Sequence, residues 1–266
     1  MSTTTVSQQP TVTAPARSVA YLFGLNYSSE SFPLQGCIND VRMMGSLLRS
    51  QYGIPAVVFT DDVSKADTSR AGILRRLNEL AVRSTVESLD LAIIHFSGHG
   101  TQVRDTNGEE LDGADECIVP NDVVISGLIR DDELHATLMR FNRSTRILII
   151  MDCCHSGTML DLKYSWEGPT SIRTQNATSL LFGPVISISG CMDPQTSADA
   201  YNLAGTLQWT GAMTTCLVQA LTQDPSLVKD SFKLVEALRA RLRLRGFPQV
   251  PMLCSSHNLA NSKALW

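Results

Sequence analysis

Apolar residues along this chain follow two alternating rhythms: short unbroken runs, and longer stretches in which they recur every three or four positions. Residues 19–25 form an unbroken run. Residues 40–52 then place Val41, Met44 and Leu48 on one helical face, and 57–59 are apolar again. Strand, helix, strand is the predicted order. The rhythm repeats downstream: 67–84 carries Ile73, Leu77 and Leu80 at helical spacing, 89–97 reads as a buried strand, 131–141 as a helix and 147–152 as a strand. Nearly continuous apolar strands alternating with amphipathic helices predict an α/β fold, a mostly parallel central sheet flanked by helices on both faces.

Between 161 and 181 the apolar pattern stops, and Gly168, Pro169 and Asn176 among serines and threonines predict a loop of about 20 residues, long enough to expect a function for it. A strand at 184–189, helices near 210–221 and 228–245, and a short strand near Met252 complete the reading. Arg239, Arg241, Arg243 and Arg245 spread around a helix axis and read as a solvated helix end. Residues 1–17, with Pro10, Pro15 and mostly small polar side chains, read as a flexible arm.

Composition narrows the class. The 266 residues are 43% hydrophobic and 18% charged, ordinary for a globular chain, and the net charge of −4 offers no field for nucleic acid. No apolar run reaches the length that crosses a bilayer, so membrane insertion is not expected. The N-terminal stretch lacks an apolar signal core, and Ser2 stands where N-myristoylation needs glycine. Seven cysteines with no CxxC pair suggest neither a disulfide framework nor a zinc ribbon, and a cytoplasmic location is expected.

Functional groups in open α/β sheets gather past the carboxyl ends of strands, and two clusters stand there. One is Ser97-Gly98-His99-Gly100; the other is Asp152-Cys153-Cys154-His155-Ser156-Gly157. A thiol nucleophile needs a base to form thiolate and an acid for the leaving amine, which a strand-end His beside a strand-end Cys supplies. His95, His99 and His155 compete for the one role, Cys153 and Cys154 for the other. His95 lies inside the apolar run and reads as a core histidine; His155 reads as the residue following the nucleophile. A metal centre of His95, His99 and Cys154 fails on geometry, since four strand residues span about 13 Å.

His95-Phe-Ser-Gly-His-Gly100 with Asp152-Cys-Cys-His-Ser-Gly157 resembles the caspase-like cysteine peptidases, and among them the metacaspases. The candidate His and Cys are 55 residues apart, near the roughly 50 expected. Further matches are Gly36-Cys-Ile-Asn-Asp40, Asp115-Glu-Cys-Ile-Val-Pro120, Asp131-Asp132-Glu133, Gln195-Thr-Ser-Ala-Asp199 and Thr210-Gly-Ala-Met213. The resemblance implies one peptidase domain at 18–266: a large, p20-like part at 18–163, a linker loop at 164–180 and a small, p10-like part at 181–266. It looks like the type I enzymes without their long Pro/Gln-rich prodomain.

By that resemblance His99 is the general base and acid, Cys154 the nucleophile, and the backbone amides of Gly100 and Cys154 the oxyanion donors. The family's specificity pocket maps onto Cys37, Asp40, Ser97 and Asp152. Carboxylates at a pocket floor select a guanidinium or ammonium, so cleavage after Arg or Lys of a protein or peptide substrate is expected, not after Asp. For Asp40 the competing role is capping at the start of its own helix.

The acidic stretch 105–116 is not an EF-hand, because Glu110 holds the position that needs glycine. The family's Ca2+ site instead maps onto Asp115, Asp131, Asp132 and Asp161, and calcium dependence is expected. Lys163 and Arg173 are candidate self-cleavage sites in the predicted loop. A monomer is expected. The competing function is a catalytically silent module of the same fold, which intact His99 and Cys154 disfavour.

Overall fold

The computed structural model describes residues 12–104, 114–154, 156, 157, 159–175, 181, 183–190, 199–201, 209–260 and 262–266. The first half runs β1 (Ser18–Gly24), α1 (Cys37–Tyr52), β2 (Ala56–Thr60), α2 (Lys65–Thr68), α3 (Arg70–Val86) and β3 (Leu91–Ser97). It continues with β4 (Gly100–Arg104), β5 (Ala114–Ile118), α4 (Val123–Ser126), β6 (Ile129–Arg130), α5 (Asp131–Leu138) and β7 (Arg146–Asp152). Then come β8 (Tyr164–Gly168), β9 (Ser171–Thr174), β10 (Val185–Ser189), β11 (Asp199–Tyr201), β12 (Trp209–Gly211), α6 (Ala212–Gln223), α7 (Ser231–Leu244) and β13 (Met252–Ser255).

Among the described residues the central sheet has the order β2-β1-β3-β7-β10-β13-β8-β9. From β2 to β10 every pairing is parallel; β13, β8 and β9 join antiparallel. Every residue of β1 and β3 is buried, as two-sided cover requires. Alternate side chains feed two cores. Leu22 and Ile93 meet Met44, Leu48, Leu217 and Leu238 on one face; Phe23 and Ile94 meet Ile73, Leu77 and Leu134 on the other. Truncating one such leucine to alanine costs about 2–5 kcal/mol.

Local signals set the helix ends. Gly53, at φ 69°, closes α1 with its N–H on the Leu48 carbonyl, Ser69 caps α3 through Gly72 N–H, and Asp230 caps α7 through the Phe232 and Lys233 amides. That Asp230 cap also divides the predicted 228–245 helix, whose start is a 3-10 turn at Pro225–Lys229.

Three expectations are corrected. The segment predicted as a loop from 161 holds the β8–β9 hairpin, which extends the sheet through the Leu253–Trp166 pairing; its short strands expose one side and carry too few apolar residues to show in the pattern. Residues 176–180 of the linker lie outside the described residues. In the arm, Val12 and Ala14 pack against the core and Arg17 pairs with Asp90, while 1–11 lie outside the described residues. A small sheet of β4, β5 and β6 stands past the carboxyl end of β3, where the sequence pattern indicated no strand. Among the described residues, no helix is long and apolar enough to cross a membrane.

Candidate active site

Adjacent parallel strands bring the two strand-end clusters together. Ser97 and Asp152, the last residues of β3 and β7, are register partners, and neighbouring strands lie about 4.8 Å apart. His99 and Cys154 each stand two residues further on. Gly100 seals the join: a Cβ there would overlap the carbonyl oxygen of Cys154 and come within 3.2 Å of Cys153 Sγ, so only glycine allows this approach. Cys154 is half-buried, whereas Cys37, Cys117, Cys153, Cys216 and Cys254 are buried. Burial makes those five poor candidates for attack on a peptide. His155 lies outside the described residues.

His99 is half-buried and held on several sides. Its Nε2 is 2.8 Å from the Phe32 carbonyl oxygen. A carbonyl only accepts, so Nε2 carries the proton and Nδ1 is the basic atom of the neutral ring. Phe32 and Tyr27 flank the imidazole, with ring centroids 5.6 and 4.9 Å away. His95 is a core residue, fully buried on β3, and desolvation pushes it down to about 3. Thr214 Oγ1, 3.2 Å from His95 Nε2, gives its single proton to Asp152, so it accepts from the histidine.

Asp40 and Asp152 are both buried and converge on the start of α6. Asp40 accepts from Ser97 Oγ at 2.7 Å and from Gly211 N–H at 2.8 Å; Asp152 accepts from the N–H and hydroxyl of Thr214, at 2.9 and 2.8 Å. A Cβ at Gly211 would stand 2.5 Å from Asp152 Oδ2 and 2.6 Å from Asp40 Oδ2, so both carboxylates face that glycine. The N-cap of α1 is Gly36, which offers no side chain, and Ile38 N–H in its first turn donates to Asn26 Oδ1 at 3.2 Å. Two like charges are steadied by a helix N-terminus that neither belongs to. Cys37, buried one turn before Asp40, completes the predicted set.

The predicted calcium residues separate into two. Carboxylate oxygens of Asp131, Asp132 and Asp161 all lie within 4.8 Å of one another. Asp115 is buried and ion-paired with Arg130 instead. Burial, and then the Asp161 charge, raise the Asp131 carboxyl from 3.8 to about 8, although the amides of Glu116 and Asp132 donate to it. Asp161 takes a left-handed backbone, φ 48°, and the carbonyl of Leu160 before it meets His135 Nδ1 at 3.1 Å, fastening this loop to α5. Of the acidic stretch 105–116, residues 105–113 lie outside the described residues.

Tyr27, Phe32, Gly211 and Thr214 touch the candidate site residues and were given no role from the sequence. Gly211 stood in a matched motif without a role. The others act through a backbone carbonyl or across large sequence separations, up to 119 residues for Thr214 with His95, and no local pattern announces such contacts.

The family model for the metacaspase, peptidase C14 domain matches residues 19–163. Metacaspase-2 of Trypanosoma brucei brucei is 35% identical over 263 residues, which cover 91% of this chain and 74% of that protein. Metacaspase-2 of Arabidopsis thaliana is 35% identical over 238 residues, 83% of this chain and 55% of that protein. Among solved structures, protein GSU0716 from Geobacter sulfurreducens superposes with a TM-score of 0.63 at 22% identity, covering 93% of this chain and 97% of that one. Caspase-1 from Spodoptera frugiperda gives 0.55 at 12% identity, over 94% and 89% of the two chains. These two likenesses show a caspase-like fold, and the model match with the extent of the relatives settles the family: the chain belongs to the metacaspases, caspase-like cysteine peptidases.

Proposed function

We propose that the protein is a calcium-dependent endopeptidase that cleaves after Arg or Lys through a Cys154–His99 dyad. His99 Nδ1 takes the thiol proton, Cys154 sulfur attacks the scissile carbonyl, and the proton passes to the leaving amine as the acyl-enzyme forms. Water then attacks with His99 as base, releasing the acid product and restoring the thiol. The Phe32 carbonyl fixes the tautomer and needs no carboxylate for it. Gly100 and Cys154 amides serve the oxyanion. Supporting this, Val119 N–H bonds to His99 O at 3.1 Å, and in an antiparallel ladder the next residue, Gly100, then turns its N–H away from β5.

The observation that carries the specificity is the convergence of two buried carboxylates, Asp40 and Asp152, on Gly211 beside the strand ends that lead to His99 and Cys154. Their bonds to the start of α6 hold them in place for a cationic side chain. For calcium, the support is the three clustered aspartates, one with a strongly raised carboxyl: oxygen donors crowded like this suit a hard divalent ion, which Asp131, Asp132 and Asp161 would hold. The ion would add local positive charge and steady the loop seven residues beyond Cys154.

Proteins and peptides with Arg or Lys before the scissile bond are then the substrates. The exposed Arg173–Glu167 pair on the edge hairpin supports a monomer, since edge charges oppose sheet extension. No disulfide joins the six described cysteines to one another, in keeping with a cytoplasmic setting. Lys163 and Arg173 remain candidate self-cleavage sites, although they flank or lie in strands. Fluorogenic peptides ending in Arg, Lys or Asp, assayed with and without calcium alongside Cys154→Ala, test the reading. Cleavage of the Arg and Lys peptides that needs both calcium and Cys154 is expected. Equal turnover of the Asp peptide overturns the specificity, and silence on all three favours the interaction module.

A further inference from the structure

We infer that Tyr27 is a positioning residue for His99, acting through a hydroxyl inserted into the backbone ladder that carries the histidine. This rests on the reading of His99 as base. In the antiparallel β4–β5 pair Gly100 faces Ile118, so the next rung is His99 with Val119. Such a rung ordinarily exchanges two N–H···O bonds. Here one is present, Val119 N–H to His99 O at 3.1 Å. In place of the other, His99 N–H donates to Tyr27 Oη at 3.0 Å, and Tyr27 O–H donates to the Val119 carbonyl at 2.6 Å. One side of the rung is therefore wedged open, past the roughly 2.9 Å of a direct bond.

The tyrosine is built to stay there. It is fully buried, and burial pushes its phenol well above the ordinary value, so the hydroxyl keeps the proton it donates. Its backbone is left-handed, φ 52°, and the Asn26 and Tyr27 amides are both anchored on Asp61, at 3.0 and 2.7 Å. Its ring lies 4.9 Å from the imidazole at 37°. The same connection between β1 and α1 supplies the Phe32 carbonyl that holds Nε2. Tyr27 thus fixes the backbone and one ring face of His99, and Phe32 fixes the ring's rotation.

Removing the hydroxyl lets His99 N–H close directly onto Val119 O and shifts the imidazole relative to Cys154. In Tyr27→Phe, kcat for an Arg-ended peptide is expected to fall roughly tenfold to a hundredfold, the effect of a displacement of about 1 Å, with KM within about twofold. Tyr21→Phe, which removes a hydroxyl that accepts from Arg83, is the control and should leave kcat unchanged. Wild-type kcat in Tyr27→Phe, or a loss seen only in KM, overturns the inference. If Tyr27→Phe does not fold, Asp61→Ala releases the same tyrosine from its anchor, and roughly a three- to tenfold fall in kcat at constant KM is expected; an unchanged kcat overturns it. His99→Ala separates the two readings: full activity there removes the base itself, whereas an inactive His99→Ala beside a fully active Tyr27→Phe removes only the role of the tyrosine.

Discussion

Asp40 with Asp152, and Asp131 with Asp132 and Asp161, are two sets of aspartates that the fold treats in opposite ways. The first pair is buried and receives donors from the protein: Ser97, Gly211 and Thr214. In the second, the carboxylates crowd within 4.8 Å and Asp131 is raised to about 8 despite two backbone donors. Donors held by a rigid helix start favour a negative charge placed beside them. Crowding of like charges raises the cost of ionisation, which a proton or a cation offsets. One set is suited to a fixed specificity pocket, the other to a switch.

The sharpest way to break this contrast is Asp152→Asn, which keeps an oxygen for Thr214 but removes the charge. Catalytic efficiency toward Arg-ended peptides should fall by about 2–5 kcal/mol of binding, roughly 30-fold to several thousandfold, with the unfolding midpoint little changed. Undiminished cleavage of the Arg peptide would show that the pair is not the pocket floor. Next in size is calcium itself. At about a hundred times its dissociation constant it should stabilise the fold by about 2.7 kcal/mol, a rise of roughly 5–10 °C in scanning calorimetry. Asp131→Asn should abolish the rise and Asp40→Asn should leave it, so equal responses from the two variants would erase the distinction.

Without metal, acidity should move the two regions in opposite directions. Between 3.8 and about 8 the folded Asp131 holds a proton that the unfolded chain has released, so its contribution to stability falls as pH rises through that window. His95, at 6.5 when unfolded and about 3 when folded, is the reverse: the unfolded chain takes up the proton first, and stability falls as pH drops below 6.5. Chemical denaturation at several pH values should show Asp131→Asn losing the alkaline decline and keeping the acid one. The smallest effect expected is that of Ser97→Ala. It removes one of Asp40's donors while Gly211 remains, which should cost about 0.5–1.5 kcal/mol and raise KM a few-fold. A change in kcat alone would place Ser97 outside the pocket.

The parallel half of the sheet was legible because its strands are buried on both faces and leave unbroken apolar runs such as Leu91–Ser97. The hairpin of β8 and β9 was not, since Ser171–Thr174 is exposed throughout and Tyr164–Gly168 only half covered. The same logic divides the site. The two strand-end clusters follow from where strands stop, whereas the donors to Asp40, Ser97 on β3 and Gly211 at the end of β12, come from distant parts of the chain that no local pattern joins. Asp115 was grouped with the other aspartates through the family resemblance; its ion pair with Arg130, fifteen residues on and across an antiparallel pair, is a contact no local pattern announces. Tyr27 left no trace in the pattern because its contribution is a single hydroxyl inside a ladder.

Strand order carries a mechanical consequence. β10 and β13, from the last third of the chain, are threaded between β7 and β8, which both come before them. Severing the covalent link between β9 and β10 would therefore leave two interleaved pieces clasped by hydrogen bonds on both flanks. A protein assembled in this way can be nicked without being dismantled.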